Sequence, residues 1–194
     1  NAGLKVQEWK LTKALGKSII FLKRFDREEN RRIPFISAMS MLNANDGESG
    51  DYSYLDIAEI IRIKGVNIKE DLKELWSRML FSILISNTDD HLRNHGFLKL
   101  EPNGWSLSPL YDVNPSIDRT SNLQLNIDET SSATSIDLAL SVADYFGLSK
   151  SEADKILKHQ ITAVSEWKTI ARHLGIGNAE ILRMSAAFKT NEVL

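Results

Sequence analysis

Two short polar stretches hold the residue types that are best suited to chemistry. Residues 86–97 read SNTDDHLRNHGF and residues 110–115 read LYDVNP. The first stretch contains Asp89 and, five residues later, Asn94, and the second contains Asp112. Carboxylates and amides of this kind orient an attacking hydroxyl and supply the hard oxygen ligands that Mg²⁺ prefers. The chemistry that these residues suggest is transfer of a phosphoryl group.

The spacing within and between the two stretches suggests a role for each residue. Kinases use a loop aspartate as the base, an asparagine five residues later as a metal ligand, and a further aspartate after a β-hairpin as another metal ligand. Asp89 and Asn94 have that separation, and Asp112 follows a predicted hairpin. Asp90 lacks the five-residue interval to Asn94, so we favour Asp89 as the base. The spacing alone occurs by chance in many proteins, and the order of loop, hairpin and aspartate therefore carries more of the argument.

A zinc site is the alternative for the same loop. His91 and His95 are four residues apart beside Asp89 and Asp90, a spacing that would place both imidazoles on one face of a helix. The loop lacks the glutamate of the H-E-x-x-H motif and begins with SNTDD, which does not favour a helix. His95 is therefore expected to be a loop or packing residue, and zinc is the weaker alternative.

The elements on either side of the loop are predicted to position it. A capping-box pair opens a helix with a broad apolar stripe over residues 67–84, which leads directly into the loop. Residues 96–100 and 105–110 flank a Pro-Asn-Gly turn and are expected to pair as a hairpin. This hairpin would return Asp112 to the side of the pocket where Asn94 lies.

The rest of the chain is predicted to be mostly helical, which makes the fold class α+β. Residues 18–25 predict a buried strand, residues 26–32 a charged turn, and residues 122–127 alternate like a further strand. Helices are predicted at residues 6–15, from Pro34, at 54–61, 135–146, 150–173 and 178–190, the one at 150–173 opening with a capping box of Ser149 and Glu152.

The composition excludes several classes of protein. Twenty-four basic residues against 26 acidic ones give a net charge of -2, which is not the basic excess of a dedicated nucleic-acid binder. The absence of cysteine excludes disulfides and thiolate chemistry and fits a cytoplasmic protein. No apolar run reaches the roughly 20 residues of a membrane helix. The chain begins Asn-Ala without methionine, so we expect a piece of a longer parent in which residues 1–2 could be remnants of a tag.

Four blocks of sequence, in this order, resemble the C-terminal, kinase-core part of the HipA family, the toxin kinases of bacterial toxin–antitoxin modules. The blocks are FLKRFDRE (21–28), RRIPFISAMSML (31–42), SNTDDHLRNHGF (86–97) and LSPLYDVNP (107–115). The resemblance implies an atypical protein-kinase-like fold with a large helical C-terminal lobe and a few short strands around the active-site loop. It divides the chain into residues 1–30, the end of a truncated N-lobe with the hinge, and residues 31–194, the helical C-lobe with its catalytic loop (86–97) and metal-binding segment (107–115).

The resemblance also implies a site. Asp89 would be the catalytic base of an ATP-dependent serine/threonine protein kinase, and Asn94 and Asp112 would hold Mg²⁺. The residues implied to contact the nucleotide are Lys23, Arg24 and Phe25 beside the adenine, His91, Leu92, Arg93 and Asn94 around the phosphates, and Tyr111 and Asp112.

The chain departs from the family pattern near its N-terminal end. A complete member has, before this segment, a phosphate-binding loop and a strand lysine that grips the α- and β-phosphates. No glycine-rich loop precedes Gly16, and the nearby lysines lie in or beside the predicted first helix; they are Lys5, Lys10, Lys13 and Lys17. We therefore expect the base and metal half of a kinase, with weak activity or none in isolation, because transition-state charge would lack part of its stabilisation.

The resemblance implies partners as well. These are a helix-turn-helix antitoxin that makes the DNA contact, a protein substrate such as an aminoacyl-tRNA synthetase, and a separate N-terminal half, with no membrane contact. A different reading treats the chain as a non-catalytic or remnant fragment that acts as an antitoxin-binding module. The missing phosphate loop is the reason for keeping this alternative.

Overall fold

A computed structural model of the chain describes residues 1–29, 31–100, 104–117 and 122–189. The structure is 45% helical and 19% strand, so the predicted α+β, mostly helical fold class is confirmed. The strands are β1 (Trp9–Ala14), β2 (Lys17–Leu22), β3 (Arg27–Glu28), β4 (Arg31–Arg32), β5 (Phe35–Ser37), β6 (Gly96–Leu100) and β7 (Gly104–Leu107). The helices are α1 (Ala38–Met41), α2 (Tyr54–Lys64), α3 (Ile68–Leu84), α4 (Ile136–Ser141), α5 (Lys150–Ser165), α6 (Trp167–His173) and α7 (Asn178–Met184).

Helix α3 is the centre of the core. Its apolar stripe is buried, as its sequence predicts, and it packs against α2, α4 and α5. The capping box predicted at its start is wrong, because Asn67 makes no side-chain cap hydrogen bond and its side-chain amide donates to Ser106 Oγ at 3.2 Å instead. Trp76 is fully buried and its indole N–H donates to the carbonyl of Ala139 at 2.8 Å, which satisfies the one polar atom of the ring. Because α3 is held along its whole length, the loop that follows Leu84 starts from a rigid point.

The three-stranded antiparallel sheet has the order β5-β6-β7 and lies next to that loop. Strands β6 and β7 confirm the predicted hairpin, whose turn residues 101–103 lie outside the described part of the chain. The helix expected from Pro34 begins late, because residues 35–37 pair with β6 before Ser37 caps α1 by accepting from the Ser40 amide at 3.2 Å. Backbone pairing with a distant strand overrides the local helical pattern here.

The helix predicted over residues 6–15 is wrong, because this segment contains strand β1. Strands β1 and β2 pair from Trp9↔Leu22 to Ala14↔Lys17 across the two-residue turn Leu15-Gly16. Both turn residues have positive φ (51° and 74°), as the tight turns of hairpins require. The strand predicted at residues 18–25 does form as β2, but it is exposed along its length rather than buried, because among the described residues only β1 pairs with it.

The remaining predictions have mixed outcomes. The capping box of Ser149 and Glu152 is present at the start of α5, but residues 150–173 form two helices rather than one. Residues 122–127 form only isolated bridges, one of them from Asn126 to Ser53. The charged turn at 26–32 carries the short β3–β4 ladder. No helix of the described part is long and apolar enough to cross a bilayer.

Candidate active site

The loop after α3 begins with an unusual backbone conformation and is held by local hydrogen bonds. Ser86, two residues past the helix end, has φ of 53°, which is uncommon for a residue with a side chain. The Asn87 side chain donates to Ser82 Oγ at 3.2 Å, and the Thr88 amide donates to the Ser86 carbonyl at 2.9 Å. This sharp reversal turns the chain out of the core, so that Asp89 reaches the surface.

Asp90 faces inward and is fully engaged. The Tyr54 hydroxyl donates to its Oδ2, Ser82 Oγ donates to the same oxygen at 3.2 Å, and His95 Nε2 lies 3.0 Å from Oδ1. Burial opposes ionisation of Asp90, but the nearby His95 and the hydrogen bonds outweigh it, so the pKa of this carboxyl is below its usual value. Asp90 and His95 therefore act as packing and anchoring residues.

This arrangement argues against the zinc alternative. His95 is 1% exposed and is directed at Asp90, so it is not directed toward His91 as a shared ligand pair would require. No group of three or more histidine, aspartate or glutamate side chains that could hold a metal is found among the described residues. A site of that kind needs three protein ligands or more.

Asp89 is exposed, and one of its carboxylate oxygens is held by a neighbour. Gln124 Nε2 donates to Asp89 Oδ1 at 2.5 Å, and the Gln124 amide donates to the Thr88 carbonyl at 3.2 Å. Asn94 Nδ2 donates to the Asp89 carbonyl at 3.2 Å, which links the two residues across their five-residue interval. Oδ2 of Asp89 has no hydrogen-bond donor within the described residues and can accept a proton or a hydrogen bond.

Three hydrogen bonds join the segment around Asp112 to the loop. The Tyr111 hydroxyl donates to the Arg93 carbonyl at 2.6 Å, and the Asn114 amide donates to Asn87 Oδ1 at 3.3 Å. The third runs from the amide of residue 116 to the carbonyl of residue 86 at 3.0 Å. Asp112 lies between these contacts, so the structure brings the two polar stretches of the sequence together.

The backbone of Asp112 is also unusual. Its φ is 54°, a conformation that costs energy in a residue with a side chain and clusters at functional sites. Asn114 Nδ2 donates to Asp112 Oδ1 at 3.0 Å, which leaves Oδ2 without a donor among the described residues. Asn94 Oδ1 likewise receives no hydrogen bond from the described part. These are hard oxygen donors, and Mg²⁺ usually takes only one or two protein ligands, so the residues present fit that ion.

An aromatic cluster lies beside the same segment. The rings of Phe25, Phe35 and Tyr111 have centroids 5.8, 5.8 and 6.2 Å apart. Gly96 makes room for it, because a Cβ at that position would be 2.2 Å from the Phe35 ring and 3.1 Å from the Tyr111 hydroxyl. Burial raises the pKa of Tyr111 to about 12, so its hydroxyl remains a donor at neutral pH. The rings are tilted 33° to 64° from one another, so a base can stack on the face of one ring while the others line its edge.

The other nucleotide-contacting residues that the sequence suggested are placed less favourably. Lys23 pairs with Glu8 at 2.7 Å, and Arg24 donates to both carboxylate oxygens of Asp26 at 2.8 and 2.7 Å. Leu92 is fully buried in the core, so only its backbone is near the loop surface. In the same loop, Arg93 pairs with Asp46 at 2.5 Å, and His91 Nδ1 is buried without a hydrogen-bond partner among the described residues.

Sequence reasoning missed three residues that shape this site. Gln124 is 35 residues from Asp89 and stands in a stretch that reads as a strand. Phe35 was part of a predicted helix, and Gly96 was simply the first residue of a predicted strand. Only the glycine carried a signal, because glycine within a strand often marks close approach of another group.

The fold and the loop geometry together define a class of protein. The family profile described as HipA-like C-terminal domain matches residues 1–167. The structure is similar to HipA of Shewanella oneidensis MR-1, solved with HipB and operator DNA, with a TM-score of 0.71 and 15% identity over 95% of this chain and 49% of that chain. It is also similar to the proinflammatory kinase CtkA of Helicobacter pylori, with a TM-score of 0.53 and 16% identity over 83% of this chain and 78% of that one.

The chain belongs to the HipA-like C-terminal domain family, as its four sequence blocks predicted. It spans about half the length of the S. oneidensis HipA chain. No curated protein sequence matches it. The fold is therefore of the kinase-like HipA type, and the identities to the two solved structures are too low to carry more than the fold.

Proposed function

We propose that this chain is the base-bearing and metal-binding part of an ATP-dependent serine/threonine protein kinase of HipA type. The observation that carries the proposal is the joining of two segments distant in sequence: Asp89 and Asn94 in one, and Asp112 in the other, connected through Tyr111 and Asn114. A loop aspartate, an asparagine five residues later and a strained aspartate after a hairpin form the set that phosphoryl transfer requires.

In the proposed reaction Asp89 is the base. Its Oδ2 accepts the proton of a serine or threonine hydroxyl while Gln124 holds Oδ1 and fixes the direction of the carboxylate. The hydroxyl oxygen forms a bond to the γ-phosphorus as the bond from that phosphorus to the bridging oxygen breaks, and ADP leaves. The products are a phosphorylated protein and ADP, with the proton on Asp89.

Asn94 and Asp112 hold the metal in this proposal. Oδ1 of Asn94 and Oδ2 of Asp112 would hold the ion, and Mg²⁺ would supply positive charge to offset the charge that develops on the phosphates. Tyr111, Phe25 and Phe35 offer the adenine a stacking surface. Lys23 and Arg24 contribute backbone groups, because carboxylates already hold their side chains.

Loss of the base tests the proposed chemistry. Asp89→Asn should lower incorporation of phosphate from [γ-³²P]ATP into protein about 10²- to 10⁴-fold, which is the usual contribution of a general base. The assay is run with the longest open reading frame that contains this chain and with the 194-residue chain alone. Asp137→Asn, a change at an exposed aspartate of α4, is the control and should leave incorporation unchanged.

Calorimetric titration of ATP separates binding from chemistry. Asp112→Asn should weaken Mg²⁺-dependent ATP binding, because a metal ligand is lost, whereas Asp89→Asn should retain it.

Each experiment has an outcome that would contradict its part of the proposal. Equal phosphate incorporation by wild type and Asp89→Asn would contradict the role of Asp89 as the base. ATP binding that does not depend on Mg²⁺ would contradict the metal site.

A second candidate is a non-catalytic module that binds an antitoxin. The observation that favours it is the β1–β2 hairpin, on which large apolar side chains are exposed, as at a protein interface. Binding of a helix-turn-helix antitoxin without any Mg²⁺-dependent nucleotide binding would support this candidate over the first.

The proposed kinase also has partners. A helix-turn-helix antitoxin makes its contact with DNA, and its substrate is a component of the translation machinery such as an aminoacyl-tRNA synthetase. Its proposed location is the cytoplasm.

The domain division belongs to the proposal as well. Residues 1–30 form the end of an N-lobe and the hinge, and residues 31–194 form the C-lobe. A separate polypeptide or a preceding segment supplies the phosphate-binding loop and the strand lysine. Co-purification of the chain with such a half, and a gain in phosphate incorporation on mixing, is the expected result.

A further inference from the structure

An open region borders Asp89, and the rings of the aromatic cluster do not line it. It is a cleft of about 820 Å³, lined by residues from the loop, from the segment after Asp112, from residues 122–124 and from the end of α7. This volume is within the ~300–1,000 Å³ typical of ligand sites. None of the three aromatic rings lines it, so a base stacked on those rings leaves the cleft free.

The lining of the cleft has a definite chemical character. Ile117, Leu123 and Met184 are apolar, and the asparagine, glutamine, serine and threonine side chains that also line it are neutral. Among the described lining residues only Asp89 and Arg183 are charged. Arg183 is exposed and has no carboxylate partner within the described residues, so its guanidinium is available to a ligand.

Two features exclude other occupants of this region. An anionic nucleotide would bring several negative charges next to the Asp89 carboxylate, and Arg183 is the one arginine among the described lining residues that could offset them. A ligand that is purely apolar would cover Oδ2 of Asp89, the carboxylate oxygen that Gln124 does not hold, without offering it a polar contact. A polypeptide segment with a hydroxyl and one carboxylate has a partner for each of the two charged lining residues, Asp89 and Arg183.

We infer that this cleft binds the phospho-acceptor segment of the protein substrate, and that Arg183 selects a segment with an acidic side chain near the acceptor serine or threonine. The inference rests on the proposed function, since it assumes that Asp89 is the base. The acceptor hydroxyl lies at Asp89 Oδ2 and the acidic side chain lies at the guanidinium of Arg183.

Matched peptides test the inference by binding alone. Each of three fluorescent peptides contains one serine. The residues next to that serine are acidic in the first peptide, neutral in the second and basic in the third. Fluorescence anisotropy gives the affinity of each peptide for the 194-residue chain. The acidic peptide should bind about two- to fivefold more tightly than the neutral one, the range for one exposed ion pair. Arg183→Glu should reverse the order of the acidic and basic peptides.

Arg172→Glu is the control, because it makes the same charge change at an exposed arginine of α6 that does not line the cleft. Circular dichroism melting confirms that both variants fold. The inference is overturned if no peptide binds, if the acidic and basic peptides bind equally, if both arginine variants change the order alike, or if ATP without Mg²⁺ displaces the peptide.

The outcome separates this inference from the proposed function. In one outcome, peptide binding depends on charge and reverses in Arg183→Glu while phosphate incorporation is the same in wild type and Asp89→Asn. That result would support the cleft as a peptide site and contradict Asp89 as the base. If phosphate incorporation depends on Asp89 but the acidic and basic peptides bind equally, the proposed kinase activity is supported and the role of Arg183 is contradicted.

Discussion

Asp89 and Asp90 are adjacent in the chain and have opposite environments. Asp90 is 4% exposed and accepts from Tyr54 and Ser82, whereas Asp89 is exposed and has one oxygen without a donor among the described residues. Asp89 lies in the turn that follows α3, and the chain folds so that one carboxylate faces the core and the other faces solvent. The free oxygen of Asp89 is the one that can do chemistry.

Gly96 gives a prediction at the scale of a single residue. Gly96→Ala should push the Phe35 ring out of the aromatic cluster, because the new Cβ would overlap the ring. Phe35 is 43% exposed and can move, so the protein should still fold. We expect weaker adenine-nucleotide binding, measured by calorimetry, with a melting temperature within a few degrees of wild type.

Gly50→Ala is the matched control, since a Cβ there meets nothing within 4 Å. Its nucleotide affinity should equal that of wild type. An unchanged affinity in Gly96→Ala would show that the three rings do not form the adenine surface.

At the scale of elements, one buried network joins α2, α3 and the start of β6 to the loop. Tyr54 is the first residue of α2, Ser82 is in the last turn of α3, and His95 precedes β6, and all three converge on Asp90. The Tyr54 and His95 rings meet edge-on at 5.4 Å. Three elements therefore fix Asp90 and His95, the two buried residues on either side of residues 91–94.

Removal of the tyrosine hydroxyl tests this network. Tyr54→Phe should lower the free energy of unfolding at pH 7 by about 1.5–3 kcal/mol, the value for a buried hydrogen bond to a charged group. The pKa of Asp90 is lowered in the fold, so its stabilisation is full above the unfolded value of 3.8 and is lost as pH falls through the folded value. The difference between variant and wild type should therefore shrink in strong acid, measured by urea unfolding.

Tyr145→Phe is the control for that experiment. Its hydroxyl donates to Glu59 at the surface, so the change should cost no more than about 0.5 kcal/mol and should not depend on Asp90. Equal costs for the two variants would mean that the buried network does not stabilise the loop.

At the scale of the whole molecule, the β1–β2 hairpin carries apolar side chains on both of its faces. The cross-strand pairs Trp9↔Leu22 and Leu11↔Ile20 place four apolar side chains on one face. Trp9, Leu22 and Ile20 are 53%, 51% and 57% exposed. A two-stranded ribbon of this kind is marginal alone, and its free edges and apolar face are typical of a surface that another polypeptide covers.

The double change Ile20→Lys and Leu22→Lys tests this surface. Self-association of the 194-residue chain, measured by light scattering over a range of concentrations, should decrease, while the free energy of unfolding should stay within about 0.5 kcal/mol. Leu182→Lys, at a single exposed leucine (77%) outside the hairpin, is the control and should change neither quantity. A large loss of stability in the double variant would show that these side chains support the fold rather than an interface.

Local pattern predicted the elements that bury a continuous apolar face. The apolar stripe of α3 was predicted correctly, because buried side chains recur at helical intervals along the sequence. The capping box of α5 was also predicted correctly, because it depends on two residues three positions apart. The hairpin at β6–β7 followed from its turn residues. The two polar stretches were recognised for the same reason, since their residue types and spacing are local properties.

Tertiary contacts decided the rest. Residues 6–15 have a helical pattern of apolar residues but form a strand, because the turn at Leu15-Gly16 lets them pair with β2. Gln124 joins Asp89 only because a distant segment crosses the loop. The sequence by itself determined which polar residue types and spacings are typical of phosphoryl transfer, and which helix precedes them. The structure decided which of their oxygens have no donor among the described residues and what surrounds them, because hydrogen bonds between distant segments depend on the folded path of the chain.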